Sequence, residues 1–338
     1  MSRMSETAVL WFDRLARLLA WVAAAMATIM MLTIFVNVVM RYVFRSPPRG
    51  AFEIVEITTQ GDTDRSSLSQ LGGTGVFVSA LRDALLDGRV DVAVHSMKDL
   101  PTAPAAGIEL AAVTKREDAR DALCARDGLT LAELPEGAKV GTGSPRRMAQ
   151  LRVARPDLEV VDIRGNVPTR LARAQGDPQT GERDLDAVVL ALAGLKRLGL
   201  EDRATEVLDL IDFPTAPAQG ALAVEIREGD GAARAAVAKT DHAPTRAAVD
   251  AERRVLAGLE AGCAAPLAAH AEVADGMLFL SAIAYATDGS SRVAASHAYT
   301  LDSTRASELE EAARDVADRA ITELLDGGAA DLVQAARA

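Results

Sequence analysis

The feature that most constrains the fold is an alternation of strand-like and helix-like segments that begins near residue 53. Short apolar runs rich in β-branched residues alternate with longer segments of helical periodicity. The strand-like runs include EIVEITTQ, VDVAVHS, KVGTGS, LEVVDIR and ALAVEIRE, and the helical segments include GVFVSALRDALLDG, PRRMAQLRVAR and GNVPTRLARAQ. This pattern predicts an α/β fold with mostly parallel or mixed sheets and crossover helices.

The last hundred residues have a different pattern. A helical segment, AAVDAERRVLAGLEAG, is followed by two alternating strands, MLFLSAIAYA and SRVAASHAYT, around the turn sequence TDGS. An amphipathic helix, ELEEAARDVADRAITELLDGG, completes the pattern. We interpret this part as a small antiparallel α+β domain.

The charge of the chain is unevenly distributed. The net charge is −11, which argues against general nucleic-acid binding, and the basic residues comprise 32 arginines but only five lysines. Two arginine pairs follow predicted strands, in VGTGSPRR and in DIRGNVPTR. Ser144 and Pro145 also mark a helix start there, where free backbone N–H groups attract anions. These features predict a site for a small polycarboxylate or phosphate.

Cysteine and histidine offer few candidates for chemistry. The two cysteines, Cys124 and Cys263, are far apart, and the four histidines show no ligand spacing. This excludes a disulfide framework and disfavours a metal site. Cys263 follows Gly262. A buried thiol is the commonest fate of a free cysteine, and an exposed attachment point on this Gly–Cys loop is the alternative. Lys98 and Asp99 end the strand VDVAVHS, where such a pair is usually only a solvated corner.

The N-terminus differs from the rest of the chain. Residues 18–40 form a run of 23 residues without a charge, long enough to span a bilayer as a helix. The stretch FDRLARLL…FVNVVMRYVFRSPPRGAFEI resembles the first membrane helix of the small permease subunit of tripartite, periplasmic-binding-protein-dependent transporters. A generic membrane anchor and a fusion of unrelated reading frames are the alternatives.

From residue 53 to about 338, eight segments resemble the porphobilinogen deaminase (hydroxymethylbilane synthase) family of tetrapyrrole biosynthesis. They are EIVEITTQGD, GGTGVFVSALRDALLDGRVDVAVHSMKDLPT, REDARDAL, GTGSPRR, RGNVPTRL, LAGLKRLGL, PAQGALAVE and LEAGCAAPLAAHA, in the order of the family. The most specific are HSMKDLP, RGNVPTRL and the Gly–Cys loop.

The resemblance implies three domains, of which two resemble type II periplasmic binding proteins and form the active site in the cleft between them. The first domain would comprise residues 51–115 with 214–235, the second 116–213, and the C-terminal, cofactor-carrying α+β domain 243–338. The implied reaction joins four porphobilinogen molecules head to tail with release of ammonia and yields linear hydroxymethylbilane. The resemblance also implies a cytoplasmic monomer.

The resemblance also assigns roles to individual residues. Cys263 would hold a dipyrromethane cofactor through a thioether, and Asp99 would be the catalytic carboxylate. The residues expected to bind cofactor carboxylates are Lys98, Thr142, Ser144, Arg146, Arg147 and Arg164. Arg170, Arg197 and Gln219 would line the cleft where the substrate binds. Because each pyrrole carries an acetate and a propionate, an arginine-rich cleft suits a growing chain.

Residues 1–50 depart from the family pattern. Family members begin with a strand followed by an Arg-x-Ser-Pro-Leu-Ala pattern, and we expect this strand of the first domain to be missing here. The sequence therefore leaves two alternatives to a working deaminase open. One is an inactive, fused or mis-assembled chain, and the other is a membrane-anchored, anion-binding receptor module.

Overall fold

The computed structural model describes residues 54, 55, 57, 75–177, 180–261 and 265–336. The chain divides into two compact units, Met1–Glu56 and Ile57–Ala338. Within the described ranges, no helix has the length and apolar character needed to cross a bilayer. The predicted span at residues 18–40 and most of the predicted strand 53–60 lie outside the described residues.

The first sheet contains β1 (Ala93–Ser96), β2 (Ile108–Val113) and β8 (Leu222–Arg227), in the order β1-β8-β2. β8 runs antiparallel to both neighbours. The expectation of a mostly parallel sheet is therefore wrong for these pairs, because β8 returns from the second sheet instead of following a crossover helix. Helix α1 (Gly75–Leu86) precedes β1.

A buried carboxylate attaches α1 to the first sheet. Glu225 on β8 accepts hydrogen bonds from Arg82 Nη2 at 2.6 Å and from Arg82 Nε at 3.0 Å. His95 Nε2 lies 3.2 Å from the same carboxylate. Burial alone would raise the pKa of Glu225, but the neighbouring His95 and Arg82 side chains lower it to about 2. Glu225 therefore stays charged and fixes the helix on the sheet.

The second sheet has five strands in the order β5-β4-β6-β3-β7. It is mixed, because β4 runs parallel to β5 and β6 whereas β3 runs antiparallel to β6 and β7. The parallel strands bring the loops after β4 and β5 to one edge of the sheet. The strands are β3 (Asp121–Ala125), β4 (Lys139–Gly141), β5 (Glu159–Val161), β6 (Ala187–Ala191) and β7 (Glu206–Val207), and the helices are α2 (Pro145–Ala154), α3 (Val167–Gln175) and α4 (Leu192–Arg197).

The third sheet is an antiparallel meander in the order β11-β10-β9, covered by helices. The predicted hairpin around TDGS is confirmed as β10 and β11, whereas β9 was not predicted. Alanine and leucine side chains from the helices and the sheet form one apolar core. The strands are β9 (Leu267–Ala274), β10 (Met277–Tyr285) and β11 (Arg292–Thr300), and the helices after β8 are α5 (Gly231–Val237), α6 (Ala243–Gly258), α7 (Ala306–Asp326) and α8 (Ala329–Ala335).

Two segments of chain, residues 114–120 and 214–221, connect the first sheet to the second. Glu117 N donates to Gly220 O at 3.2 Å. Gly220 has a φ of +90°, and a Cβ there would lie 2.5 Å from the Glu117 carbonyl oxygen. The two segments therefore approach each other so closely that only glycine fits at position 220.

A buried ion pair joins both connecting segments to the third sheet. Glu252 on α6 is fully buried and accepts hydrogen bonds from Arg116 Nη1 at 2.6 Å and Arg116 Nη2 at 3.2 Å. It also accepts from Ala218 N at 2.5 Å and from Ala271 N at 2.6 Å. One carboxylate therefore binds the outgoing segment, the returning segment and β9.

We predict that Glu252→Ala lowers the free energy of unfolding by about 3–5 kcal/mol, because it leaves Arg116 buried without its counter-charge. The measurement is urea denaturation followed by circular dichroism. Glu310→Ala is the matched control, since Glu310 pairs with Arg314 at an exposed site on α7. The control loses less than about 1 kcal/mol, and equal losses in the two variants would contradict the assignment.

Candidate functional site

The turn after β1 carries two of the predicted site residues. Met97–Asp99 form a single 3-10 turn, closed by Leu100 N donating to Met97 O at 3.3 Å. Met97 is only 1% exposed and lies in the apolar core of the first sheet. Lys98 is half-buried and Asp99 is exposed. The turn thus anchors itself through Met97 and directs the next two side chains away from the core.

A residue of α6 holds this turn from outside the sheet. Arg253 Nη1 donates to Leu100 O at 2.8 Å and to Met97 O at 3.3 Å, and Arg253 Nη2 donates to Pro101 O at 2.7 Å. Sequence reasoning missed Arg253, because AERR in a helical segment has the appearance of an ordinary solvated face.

The loop after β4 leads into α2 through Thr142 and Ser144. Thr142 N donates to Val161 O at 3.0 Å, and Thr142 Oγ1 accepts from Ser144 N at 3.3 Å. Ser144 is the N-cap of α2, as predicted, and accepts from Arg147 N at 3.5 Å. The N-terminus of α2, with its positive end of the helix dipole, therefore lies beside both predicted hydroxyl residues.

Asp121, at the start of β3, pairs with the first two arginines of α2, Arg146 and Arg147. Its Oδ1 lies 2.6 Å from Arg147 Nη2, and its Oδ2 lies 2.8 Å from Arg146 Nη2. Burial would raise the pKa of Asp121, but the two guanidinium groups outweigh it and hold that pKa well below its ordinary range. Asp121 is a second residue that sequence reasoning missed, since the run REDARD gives no sign of which carboxylate is buried.

Arg146 points into the protein. It is 2% exposed, and its Nη1 donates to Gln150 Oε1 at 2.7 Å and to Pro214 O at 2.6 Å. These bonds and the Asp121 pair occupy both terminal nitrogens of Arg146, whereas its buried Nε has no hydrogen-bond partner among the described residues. The contact of Arg146 with a cofactor carboxylate stays a prediction.

Gln219 is fully buried and connects the two sides of the site. Its Nε2 donates to Ala119 O at 2.6 Å and to Asp121 Oδ1 at 2.7 Å. Its Oε1 accepts from Arg147 Nη2 at 3.2 Å and from Lys98 Nζ at 3.3 Å. All hydrogen-bonding positions of the amide are occupied by protein, so Gln219 joins the Lys98 turn to α2 instead of presenting its side chain to the substrate cleft.

Arg147, Arg164 and Arg170 form an arginine cluster near the Asp99 turn. Burial lowers the pKa of Arg170, the charges of Arg147 and Arg164 lower it further, and the carboxylates of Asp162 and Asp99 oppose them. Burial likewise lowers the pKa of Lys98, where Asp99 opposes the effect and Arg147 adds to it. The sequence-predicted cations and Asp99 therefore share one electrostatic neighbourhood.

The two remaining predicted residues are Arg197 and Cys263. Arg197 is exposed and its Nη2 donates to Gly220 O at 2.6 Å, at the connection between the sheets. Cys263 lies outside the described residues, which stop at 261 and resume at 265.

Two family models match the chain. One, described as the dipyromethane cofactor binding domain of porphobilinogen deaminase, matches residues 26–235. The other, described as the C-terminal domain of porphobilinogen deaminase, matches residues 246–315. The first match begins inside the uncharged run 18–40, so it includes part of the stretch whose sequence resembles a transporter permease. That permease resemblance gains no support from these comparisons.

Curated relatives of high identity cover most of the chain. The porphobilinogen deaminase of Leifsonia xyli subsp. xyli is 62% identical over 284 residues, which cover 83% of this chain and 84% of the relative. That of Thermobifida fusca is 56% identical over 289 residues, covering 85% and 88%. The solved structure of YhfZ from Shigella flexneri, at 22% identity and a TM-score of 0.22 over 53% of this chain and 77% of that one, is too distant to support a shared fold. The two family matches and the identities to these relatives show that the chain belongs to the porphobilinogen deaminase family.

Proposed function

We propose that Asp99, Lys98 and the arginine cluster form the active site of this family's reaction in the chain. The chain is a transferase of porphyrin and heme biosynthesis, a hydroxymethylbilane synthase that takes porphobilinogen as substrate. The observation that carries the proposed site is the shared electrostatic neighbourhood of Asp99 with Arg147, Arg164 and Arg170.

The residues of this site fit a dipyrromethane. The Nε atoms of Arg147 and Arg164 are buried and have no hydrogen-bond partner among the described residues. Buried donors without partners are costly, and carboxylates of a bound pyrrole chain would satisfy them. When bound, the dipyrromethane supplies the pyrrole carbon to which the next unit is joined.

In the proposed site, the chain's residues divide the work of binding. Lys98, Arg147 and Arg164 bind cofactor carboxylates, and the hydroxyls of Thr142 and Ser144 add neutral donors at the start of α2. Cys263 provides the thioether attachment.

Other residues of the site support these contacts or bind the substrate. Arg146 acts indirectly, by holding Asp121, which in turn orients Arg147. Gln219 fixes the positions of Lys98 and Arg147 relative to each other, because its Oε1 accepts a hydrogen bond from each. Arg170 binds carboxylates of the incoming substrate. Arg197 lies at the connection between the first and second sheets, where it donates to Gly220 O.

Asp99 provides the negative charge that the chemistry requires. The C–N bond of the substrate's aminomethyl group breaks, ammonia leaves with the electron pair, and the remaining pyrrole becomes a cationic azafulvene. An exposed carboxylate at this position can stabilise the cation through its negative charge. The cytoplasmic location, the monomeric state and the loss of the first strand stay predictions.

We predict that Asp99→Asn lowers kcat by about 10²- to 10⁴-fold, since the amide cannot stabilise the cation or exchange a proton. The measurement is steady-state formation of hydroxymethylbilane from porphobilinogen. Asp318→Asn, at an exposed position of α7, is the control and keeps full activity. Unchanged kcat in Asp99→Asn would exclude Asp99 as the catalytic carboxylate.

We predict that the intact mass of the recombinant chain exceeds its sequence mass by two linked pyrrole units, and that Cys263→Ala loses this increment. The buried thiol provides a matched control, Cys124→Ala, because burial raises the pKa of Cys124 to about 12 and leaves it unreactive. Mass spectrometry of the three proteins decides the question. An unmodified wild-type chain would instead favour the inactive, fused chain.

A further inference from the structure

We infer that Arg253 is a positioning residue for Asp99, acting through the backbone of the 3-10 turn. The guanidinium donates to three carbonyl oxygens that bracket Asp99, those of Met97, Leu100 and Pro101, at 2.7–3.3 Å. This inference rests on the proposed catalytic role of Asp99. Nothing in the sequence resemblance assigned a role to Arg253.

The turn needs an external support because its own hydrogen bonding is weak. A three-residue 3-10 turn is closed here by one long bond, Leu100 N to Met97 O at 3.3 Å. Pro101 follows directly and has no N–H to continue the pattern. Met97 N is held by Ala221 O at 3.0 Å, which fixes the start of the turn but not its end. The bonds from Arg253 to Leu100 O and Pro101 O fix that end.

Helix α6 holds the turn by two side chains that lie one helical turn apart. Val249 packs in the same apolar cluster as Met97 and Leu100. Arg253, four residues later, lies on the same face of the helix. Val249 thus fixes the turn against the apolar core, and Arg253 fixes the orientation of the backbone from which the Asp99 side chain extends.

The residue type suits this function. Arginine presents a planar fork whose donors can reach several acceptors at once, whereas lysine offers one flexible point charge. Misplacement of a catalytic group by about 1 Å can cost about 100-fold in rate. Arg253 therefore controls the rate of the chemical step while leaving the carboxylate-binding arginines untouched.

The experiment compares Arg253→Gln with Arg254→Gln, the adjacent arginine, which has no hydrogen bond to the turn among the described residues. We predict that Arg253→Gln lowers kcat by about 10- to 100-fold while KM changes less than about twofold. Intact mass should show the same cofactor loading as wild type. Arg254→Gln should retain wild-type kinetics. Equal kinetics in the two variants, or a loss confined to KM, would overturn the inference.

A double-mutant cycle tests whether Arg253 acts through Asp99. If it does, Arg253→Gln/Asp99→Asn has the same kcat as Asp99→Asn alone, because the positioned group is already missing. Multiplicative losses would overturn the inference and leave the proposed function standing. If Asp99→Asn is fully active, the proposed function itself fails. Should Arg253→Gln not fold, Arg253→Lys replaces it, with the same cycle and the same criteria.

Discussion

The burial of the Glu252 carboxylate is the constraint on which the rest of the structure depends. A charge removed from water is tolerated only when it is paired and its lone pairs accept hydrogen bonds. Here the partners come from three separate parts of the chain: Arg116 in the outgoing segment, Ala218 in the returning segment and Ala271 in β9. The requirement to satisfy one carboxylate therefore fixes both connections between the first two sheets against α6.

A second buried carboxylate organises the positive side of the site. Asp121 neutralises part of the charge of Arg146 and Arg147, which would otherwise repel each other in a buried setting. Gln219 links this pair to Lys98 across the connection between the sheets. A chain with a net charge of −11 can thus hold concentrated cations at one place, because a buried acid, Asp121, pairs with two of them.

Local signals in the sequence predicted the parts of the site that depend on local structure. The Ser144–Pro145 helix start follows from capping preferences, and the end of strand β1 just before the turn that carries Lys98 and Asp99 follows from the apolar alternation. Asp121, Glu252 and Arg253 could not be predicted in this way. Each belongs to a run of mixed charge, REDARD or AERR, and which member of such a run is buried depends on distant partners. These lie 25 residues away for Asp121, 136 for Glu252 and 153 for Arg253. The antiparallel pairing of β8 was missed for the same reason, since it depends on the chain's return from the second sheet.

The position of Glu252 and Arg253 next to each other on α6 relates the two networks. Consecutive helical residues leave the axis about 100° apart, so Glu252 faces the connecting segments while Arg253 faces the Asp99 turn. A shift of α6 would therefore move the connection between the sheets and the Asp99 turn together. Both are held by one helix, which belongs to the C-terminal part of the chain and contributes no residue to the arginine cluster. The third sheet and its helices thus contribute to the proposed site by fixing the geometry of the first and second sheets.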